Sequence, residues 1–349
     1  MAYTTIDKSS LHFTPKLYTG TDNSNAITGL NFQPDFTWIK MRSSTASHAL
    51  QDAVRGINKT FRTNNTNAQY TNSFFSSFNS DGFTVATTET DVNADGSTYV
   101  AWNWKANGAG SSNTAGSINS TVSANTTSGF SIVSYTGNGT SGATVGHGLG
   151  VVPQVIIVKR LNATDQTIMY HHSISATPQN YYIRISDNGA AADFAGMWND
   201  TAPTSSLFSI GNSATTNASS EAMIAYCFAE KQGFSKFGKY VGNGNADGTF
   251  VYTGFKPSFV MLKKNSGSSS WNMYDTKRDP FNVQDQRLRA NLTEAEASDS
   301  GFSDNDFLSN GFKVRSTWGE LNESASEYYY IAFAEAPLVG SNNVPANAR

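Results

Sequence analysis

The residues of this 349-residue chain best suited to chemistry are lysines and carboxylates that recur at fixed spacing. Three lysines each end an apolar run six positions after a proline, namely Lys40, Lys159 and Lys263. Asp52 and Asp275 stand twelve positions beyond the first and third lysines, and an arginine follows each acid by three positions. Two interpretations are open: a Lys–Asp–Arg network that joins neighbouring strands, or a ligand site repeated along the chain. The middle copy has His171 and Ile174 instead, which favours the network.

A calcium-like motif occurs once. Asp91, Asn93, Asp95 and Gly96 match the opening of a calcium-binding loop, in which oxygen ligands alternate along the chain. The acid that closes such a loop at the twelfth position is replaced by Trp102. Because the loop lacks this bidentate carboxylate, we interpret it as an Asx-rich turn. We expect no tightly bound cation, and only a weak metal site at Asp91, Asn93 and Asp95 stays open.

No catalytic constellation is predicted. The chain has no Gly-x-Ser-x-Gly elbow, and its Gly-Asn-Gly turns lack the lysine and hydroxyl of a phosphate loop. Its single cysteine, Cys227, excludes an intrachain disulfide and a cysteine-based zinc site. We therefore predict that the protein is not an enzyme and has no cofactor, with no catalytic, cofactor-binding or metal-ligating residues. A glycan depolymerase is the least favoured alternative.

The recurring residues belong to an internal repeat that occurs three times. Each copy opens with a Tyr-x-Gly turn and ends in a closing strand, whose last large residue is Trp104, Phe228 or Phe333. An asparagine precedes that residue by eleven positions in every copy. Large and small apolar residues alternate along the second and third closing strands, which predicts central β-strands covered on both faces.

The predicted fold is all-β, with three tandem antiparallel β-sandwich domains of the jelly-roll or lectin-like kind. The chain is divided into an N-terminal docking segment (1–13), repeat 1 (14–106), a Gly/Ser/Asn/Thr linker (107–128), repeat 2 (129–230), repeat 3 (231–340) and a C-terminal tail (341–349). One helix is expected over 292–297, where Thr293 could cap it. The predicted core comprises Trp38, Phe83, Val100, Trp102, Trp104, Phe208, Ile224, Tyr226, Phe228, Phe259, Met261, Phe312, Ile331 and Phe333.

Composition excludes several classes of partner. Charged residues are only 15% of the chain and the net charge is −3, so there is no basic stripe for nucleic acid. No uninterrupted apolar run approaches the ~18 residues of a membrane span, so no membrane insertion is expected. The 43 Phe, Tyr and Trp residues supply enough apolar surface to exclude a disordered chain.

The tandem pattern resembles a family of tailed-bacteriophage virion proteins found in marine phages and often labelled tail fibre or structural proteins. Seven segments carry the likeness: 1–7 (MAYTTID), 81–85 (DGFTV), 99–105 (YVAWNWK), 198–203 (WNDTAP), 233–237 (GFSKF), 275–280 (DTKRDP) and 334–340 (AEAPLVG). The likeness extends over nearly the whole chain. It transfers no catalytic motif.

This resemblance implies a virion protein, made in the host cytoplasm and exposed on the particle. Its expected partners are other virion proteins, further copies of itself as a homo-oligomer, and a glycan of the host surface. The favoured function is a tail-fibre-like or surface appendage subunit that mediates host attachment, with segment 1–13 docking onto the virion. The alternative is a head decoration or other purely structural subunit without receptor binding. Exposed aromatic clusters would favour the first function, and ordered termini with large apolar interfaces the second.

Overall fold

The regular secondary structure of the described residues is almost entirely antiparallel β-sheet. The computed structural model describes residues 3–86, 89–298, 300–340 and 345, and 43% of these described residues are in strands against 7% in helices. The all-β prediction is therefore confirmed. No helix in the described part of the chain is long and apolar enough to cross a membrane. Most of the predicted C-terminal tail, together with Met1 and Ala2 of the predicted docking segment, lies outside the described residues.

Repeat 1 consists of a large sheet and a small sheet. The large sheet has the strand order β1-β9-β3-β4, the small one β2-β8-β7, and β5 pairs with β6. A core that includes Ile27, Ile39 and Phe83 fills the space between the two sheets. The strands are β1 (Phe13–Thr19), β2 (Asn25–Thr28), β3 (Phe36–Met41), β4 (Ala49–Asp52), β5 (Lys59–Thr60), β6 (Tyr70–Thr71), β7 (Phe75–Asn79), β8 (Gly82–Val85) and β9 (Thr98–Trp104).

Repeat 2 has the same two layers and a wider large sheet. Its strands are β10 (Ser111–Asn113), β11 (Ser120–Asn125), β12 (Phe130–Thr136), β13 (Ala143–Gly146), β14 (Val155–Arg160), β15 (Thr167–His171), β16 (Tyr181–Arg184), β17 (Ala192–Asp193), β18 (Leu207–Ile210) and β19 (Ala222–Phe228). The large sheet has the order β10-β11-β12-β19-β14-β15-β16-β17, and β13 pairs with β18 in the small sheet.

The prediction of a linker over 107–128 is wrong, because this segment forms the edge of the repeat 2 sheet. Strands β10 and β11 lie within it, and β11 pairs along its whole length with β12. Val122 and Ser123 are both buried. A segment rich in small polar residues can be flexible, but its backbone groups can equally be hydrogen-bonded in a sheet. Here β12, the next strand along the chain, supplies those hydrogen bonds.

Repeat 3 again has a large and a small sheet. Its strands are β20 (Ser235–Val241), β21 (Phe250–Tyr252), β22 (Phe255–Lys264), β23 (Asn272–Asp275), β24 (Gln286–Arg289), β25 (Ala297–Ser298), β26 (Asn305–Leu308), β27 (Gly311–Val314) and β28 (Glu327–Pro337). The large sheet has the order β20-β28-β22-β23-β24-β25, and the small one β21-β27-β26.

The helix expected over 292–297 does not form. Residues 292–296 have no regular secondary structure and lead into β25, and the backbone of this segment binds repeat 1 instead. The Thr293 carbonyl accepts from the Ala46 amide at 2.9 Å, and the Glu296 amide donates to the Arg42 carbonyl at 2.8 Å. These contacts between distant segments outweigh a weak local helix propensity. The α-helices are single turns: α1 (Thr90–Asn93), α2 (Ala195–Trp198), α3 (Ala214–Asn217) and α4 (Gly319–Asn322).

The three repeats superpose in register along their closing strands. Trp104, Phe228 and Phe333 of β9, β19 and β28 pair on one side with Phe36, Val155 and Phe259. Four residues earlier on the same strands, Val100, Ile224 and Tyr329 pair with Lys40, Lys159 and Lys263. The lysines therefore occupy equivalent positions, as the spacing predicts.

The large sheets of the three repeats enclose one shared core. The Trp104 ring lies 6.3 Å from Phe228 and 5.6 Å from Phe333, and Phe228 lies 5.8 Å from Phe333, measured between ring centroids. One residue from each repeat thus forms a triangle at the centre. All fourteen predicted core residues are buried. Each large sheet packs against the shared core with one face and against its own small sheet with the other. The domain boundaries stay a prediction.

Candidate functional site

The three repeated lysines link each repeat to another in a closed cycle. The Lys40 ammonium donates to the Thr293 carbonyl of repeat 3 at 3.2 Å. The Lys159 ammonium donates to Thr66 of repeat 1 at 3.0 Å, and that of Lys263 to Asn188 of repeat 2 at 3.1 Å. Each lysine also binds a carbonyl of its own repeat, at 2.5 to 2.8 Å. The lysines therefore join the repeats through backbone oxygens.

All three lysine side chains are completely buried. Burial lowers the pKa of each lysine to about 8, because removing the ammonium from water disfavours its charged form. The predicted contact between lysine and aspartate is wrong. Lys40 lies across from Val100, whereas Asp52 lies across from Phe36 at the other end of β3. Since each ammonium is already bound to carbonyls, no ligand-binding function is assigned to it.

The repeated aspartates form ion pairs with the arginines three residues later, as predicted, and also contact a second repeat. Asp52 accepts from Arg55 Nε at 2.5 Å and from the hydroxyl of Tyr226, in repeat 2, at 2.7 Å. Asp275 accepts from Arg278 Nε at 2.5 Å and from the indole of Trp102, in repeat 1, at 3.0 Å. Tyr226 and Trp102 occupy equivalent positions on their closing strands. These two clamps hold neighbouring repeats together.

The middle copy forms a neutral version of this contact. His171 is fully buried, and its Nε2 lies 3.3 Å from the Tyr330 carbonyl of repeat 3. The Tyr329 hydroxyl donates to the Ile174 carbonyl at 3.2 Å. Burial, with a smaller effect of His172, lowers the pKa of His171 to about 3, so its ring is uncharged at neutral pH. His171 is therefore a packing residue at a repeat junction.

The calcium-like loop has other partners. Asp91 binds Arg62 and accepts from the Ser47 amide at 3.0 Å. The Asn93 amide oxygen accepts from the Thr21 amide at 3.1 Å, and its nitrogen donates to the Asn23 carbonyl at 2.6 Å. Within residues 3–86, 89–298 and 300–340, no three His, Cys, Asp or Glu side chains are grouped closely enough to hold a metal ion.

The repeated asparagines brace the turn that opens each repeat. Asn217 and Asn322 each accept from a backbone amide of their own repeat, those of Asn138 and Asn243, at 2.8 and 2.9 Å. Each asparagine is the last residue of a one-turn helix and is fully buried. A side chain that donates and accepts at once can hold a loop whose backbone groups lack strand partners. This recurrence is therefore explained by the fold.

A pocket of about 350 Å³, which the sequence did not indicate, opens between the N-terminal segment and repeat 3. Tyr3 and Tyr252 supply aromatic walls, and Glu230 and Lys236 supply opposite charges. The Tyr3 hydroxyl donates to the Gly254 carbonyl at 2.6 Å, which fixes the segment against the repeat. Burial, together with a hydrogen bond to Tyr252, raises the pKa of Tyr3 to about 12.

The charged pair of this pocket is held rigidly. The Lys236 ammonium lies 3.1 Å from Glu230 Oε2, and the other carboxylate oxygen accepts from the Phe237 amide at 2.8 Å. The Glu230 backbone amide donates to the side chain of Gln154, which also belongs to repeat 2, at 2.7 Å. The Lys236 side chain keeps 41% of its surface exposed and that of Glu230 keeps 24%, so both can still reach a ligand.

An exposed aromatic pair continues from this pocket along β21. Phe250 is 44% exposed and Tyr252 is 54% exposed, while Val251 between them is buried. Strand β21 lies at the edge of its sheet and pairs only with β27. The alternation Phe-Val-Tyr could have indicated two outward aromatic rings, but it lies in a segment of only three strand residues.

The other repeats lack aromatic residues at the equivalent positions. Val251, Ile27 and Val145 each pair with the repeated phenylalanine of the small sheet, which defines the equivalence. The positions that flank them are Ala26 and Thr28 in repeat 1 and Thr144 and Gly146 in repeat 2. Since two of the three repeats fold without large residues here, the fold does not require Phe250 and Tyr252.

Comparison with known proteins gives a family and no function. No curated protein and no solved structure matches the chain. The model of a family described as a domain of unknown function, DUF7483, matches residues 8–337 and thus includes the closing strands and repeated lysines of all three repeats. The chain therefore belongs to the DUF7483 family.

Proposed function

We propose that this protein is a bacteriophage virion protein, a tail-fibre-like or surface appendage subunit that attaches the particle to its host. The proposal starts from the likeness of seven sequence segments to tailed-phage virion proteins. The observation that carries it further is the exposed aromatic pair Phe250 and Tyr252 beside the Tyr3 pocket. Exposed aromatic rings without a role in folding are typical of binding surfaces.

The charged residues that recur in the sequence support binding without catalysis. The lysines bind backbone carbonyls, and the two aspartates bind arginines and a neighbouring repeat. These groups are therefore used by the fold. A particle protein benefits from a single shared core, because burial of apolar surface maintains its shape without disulfides.

One observation favours the alternative, a purely structural virion subunit. The described part of the predicted docking segment packs on the body of the protein. Ile6 and Phe13 are buried in the shared core, and Thr4 donates to the Gln232 carbonyl at 2.6 Å. A segment that is already bound in this way is less suited to be a free docking arm, and ordered termini are expected of a coat subunit.

The two functions make different predictions for the purified protein. Immunogold labelling with antibodies to the chain is expected to decorate phage particles. As an attachment protein, the purified chain binds host cells and slows adsorption of whole phage. If the antibodies label particles but the purified chain neither binds cells nor slows adsorption, the structural alternative is correct. If the antibodies label no particles, the virion proposal is wrong.

A further inference from the structure

We propose that the pocket bounded by Tyr3, Tyr252, Glu230 and Lys236, with Phe250 beside it, binds a neutral oligosaccharide. This inference rests on the proposed attachment function and names the ligand class and the site. It is argued from the shape of the pocket, the chemistry of its walls and the comparison among the three repeats.

The pocket is concave and mixed in character, as a sugar requires. Its volume of about 350 Å³ is at the lower end of the range of small-ligand sites. A pyranose ring has an apolar C–H face and a rim of hydroxyl groups. The Tyr252 ring, 54% exposed, can stack against the C–H face, because an aromatic face is electron-rich. The hydroxyl rim then meets polar groups on the pocket wall.

Those polar groups can both donate and accept. Glu230 accepts hydrogen bonds, Lys236 donates them, and the Tyr3 hydroxyl, which donates to Gly254 and is also hydrogen-bonded to Tyr252, adds a further polar group to the pocket wall. Their charges cancel, because Glu230 and Lys236 form an ion pair. A neutral hexose is therefore favoured over a phosphorylated or sulfated sugar, which would need an excess of positive charge.

The site can contact more than one sugar ring. Phe250 and Tyr252 are two residues apart on β21 and point to the same face, so their attachment points are about 7 Å apart. Two such rings can stack on neighbouring units of a chain. Since repeats 1 and 2 have Ala26, Thr28, Thr144 and Gly146 at these positions, only repeat 3 has this pair.

The test uses the full chain and a variant copied from repeat 1. Phe250→Ala with Tyr252→Thr installs the residues that repeat 1 carries at the equivalent positions, so the variant is expected to fold. Phe281→Ala is the matched control, because Phe281 is another exposed ring of repeat 3, 72% exposed, that does not line the pocket. Affinity electrophoresis in native gels containing dextran, mannan or galactan measures binding.

At least one of the three polymers is expected to retard the wild-type chain and the control. The double variant should bind that polymer at least tenfold more weakly. Absence of retardation by all three polymers, or equal retardation of the double variant, would overturn the proposed site. Sedimentation velocity tests a second occupant of the same surface. Self-association that disappears in the double variant would identify a contact between copies of the chain and also overturn the saccharide proposal.

Binding to host cells separates this inference from the proposed function. If the double variant loses cell binding and the control keeps it, both proposals are supported. If both variants bind cells as the wild type does, the site is wrong and the attachment function stands. If the wild-type chain itself does not bind cells, the attachment function fails, whatever the gels show.

Discussion

The junction between repeats 2 and 3 differs chemically from the other two junctions in the closed cycle of repeats. Between repeats 1 and 2, and between repeats 3 and 1, a buried aspartate binds an arginine and a donor on the neighbouring closing strand. Between repeats 2 and 3, His171 and Ile174 take the places of the aspartate and the arginine. At the acid position, the cycle of repeats therefore has two charged clamps and one neutral contact.

At each junction, the residue at the acid position corresponds to the residue that faces it from the neighbouring closing strand. The aspartates are bound by Tyr226 and Trp102, and the equivalent residue of repeat 3 is Ile331, which has no donor. A buried carboxylate facing Ile331 would lack one of its partners, and burial without compensation is costly. The absence of the acid at position 171 thus matches the absence of the donor at position 331.

The largest effect is expected from breaking a charged clamp. Asp52→Ala leaves the buried Arg55 without its carboxylate, and we expect a loss of about 3–5 kcal/mol in the free energy of unfolding. Asp275→Ala should cost less, because Arg278 keeps a second ion pair with Glu296 at 3.0 Å. Denaturant unfolding measures both. Asp95→Ala, at an exposed position of the same chain, is the control and should have little effect.

A charge introduced into the neutral junction should be almost as damaging. His171→Asp places a carboxylate in a fully buried position without a cation, which we expect to cost about 2–4 kcal/mol at pH 7. The loss should be smaller at pH 5, where protonation of the acid is easier. Adding Ile174→Arg should recover part of the loss in a double-mutant cycle. Additive effects of the two substitutions would show that the clamp cannot be transferred.

The lysines should behave alike at all three junctions. Lys40→Met, Lys159→Met and Lys263→Met each leave buried carbonyls without a donor, at a cost of about 1–3 kcal/mol. The exposed Lys277→Met serves as the control in the same unfolding measurement. If the losses in unfolding free energy of the three lysine variants differ as much as those of Asp52→Ala and Asp275→Ala, this uniform role is wrong.

The lysines also predict how stability depends on pH. Their pKa is about 8 in the folded protein, against 10.5 for an unperturbed lysine. The unfolded chain therefore binds more protons between pH 8 and 10.5, and stability rises with pH in that window, by about 1 kcal/mol per lysine from pH 8 to 9.

Buried tyrosines oppose this rise at higher pH. Burial raises the pKa of Tyr226 well above its usual value of 10, so the unfolded chain loses protons first above pH 10 and stability falls there. Unfolding free energies measured from pH 7 to 11 should pass through a maximum near pH 10. Lys159→Met should flatten the rise by about a third. A flat profile below pH 10 would show that the lysines are not the cause.

Periodicity and spacing predicted the parts of the fold that depend on side-chain pattern. Alternation along β19 and β28 identified central strands, and equal spacing identified equivalent lysines. The shared core was not predicted. A residue such as Trp104 is buried in the same way within one sandwich or among three sheets, so its pattern cannot distinguish them. The strands at 111–113 and 120–125 were missed because serine and asparagine carry little propensity signal.

The candidate pocket depends on contacts that no local pattern encodes. Tyr3 and Tyr252 are separated by almost the whole chain and meet only because the N-terminal segment packs on repeat 3. The clamps were half predicted, since the Asp–Arg spacing is local whereas the donors Tyr226 and Trp102 come from other repeats. The helix expected over 292–297 failed for the same reason, because Lys40 and Arg42 bind its backbone.

The three repeats of the closed cycle lie on one chain, and this linkage affects both how firmly the repeats stay associated and how far each repeat can differ from the others. Three separate chains would need to meet in solution, whereas covalent linkage gives each repeat an effective concentration of the others on the order of millimolar. Dilution therefore cannot separate the three repeats, which meet at Trp104, Phe228 and Phe333. A symmetric trimer must also carry any surface change three times. A single chain can place Phe250 and Tyr252 on one side and keep small residues on the other two.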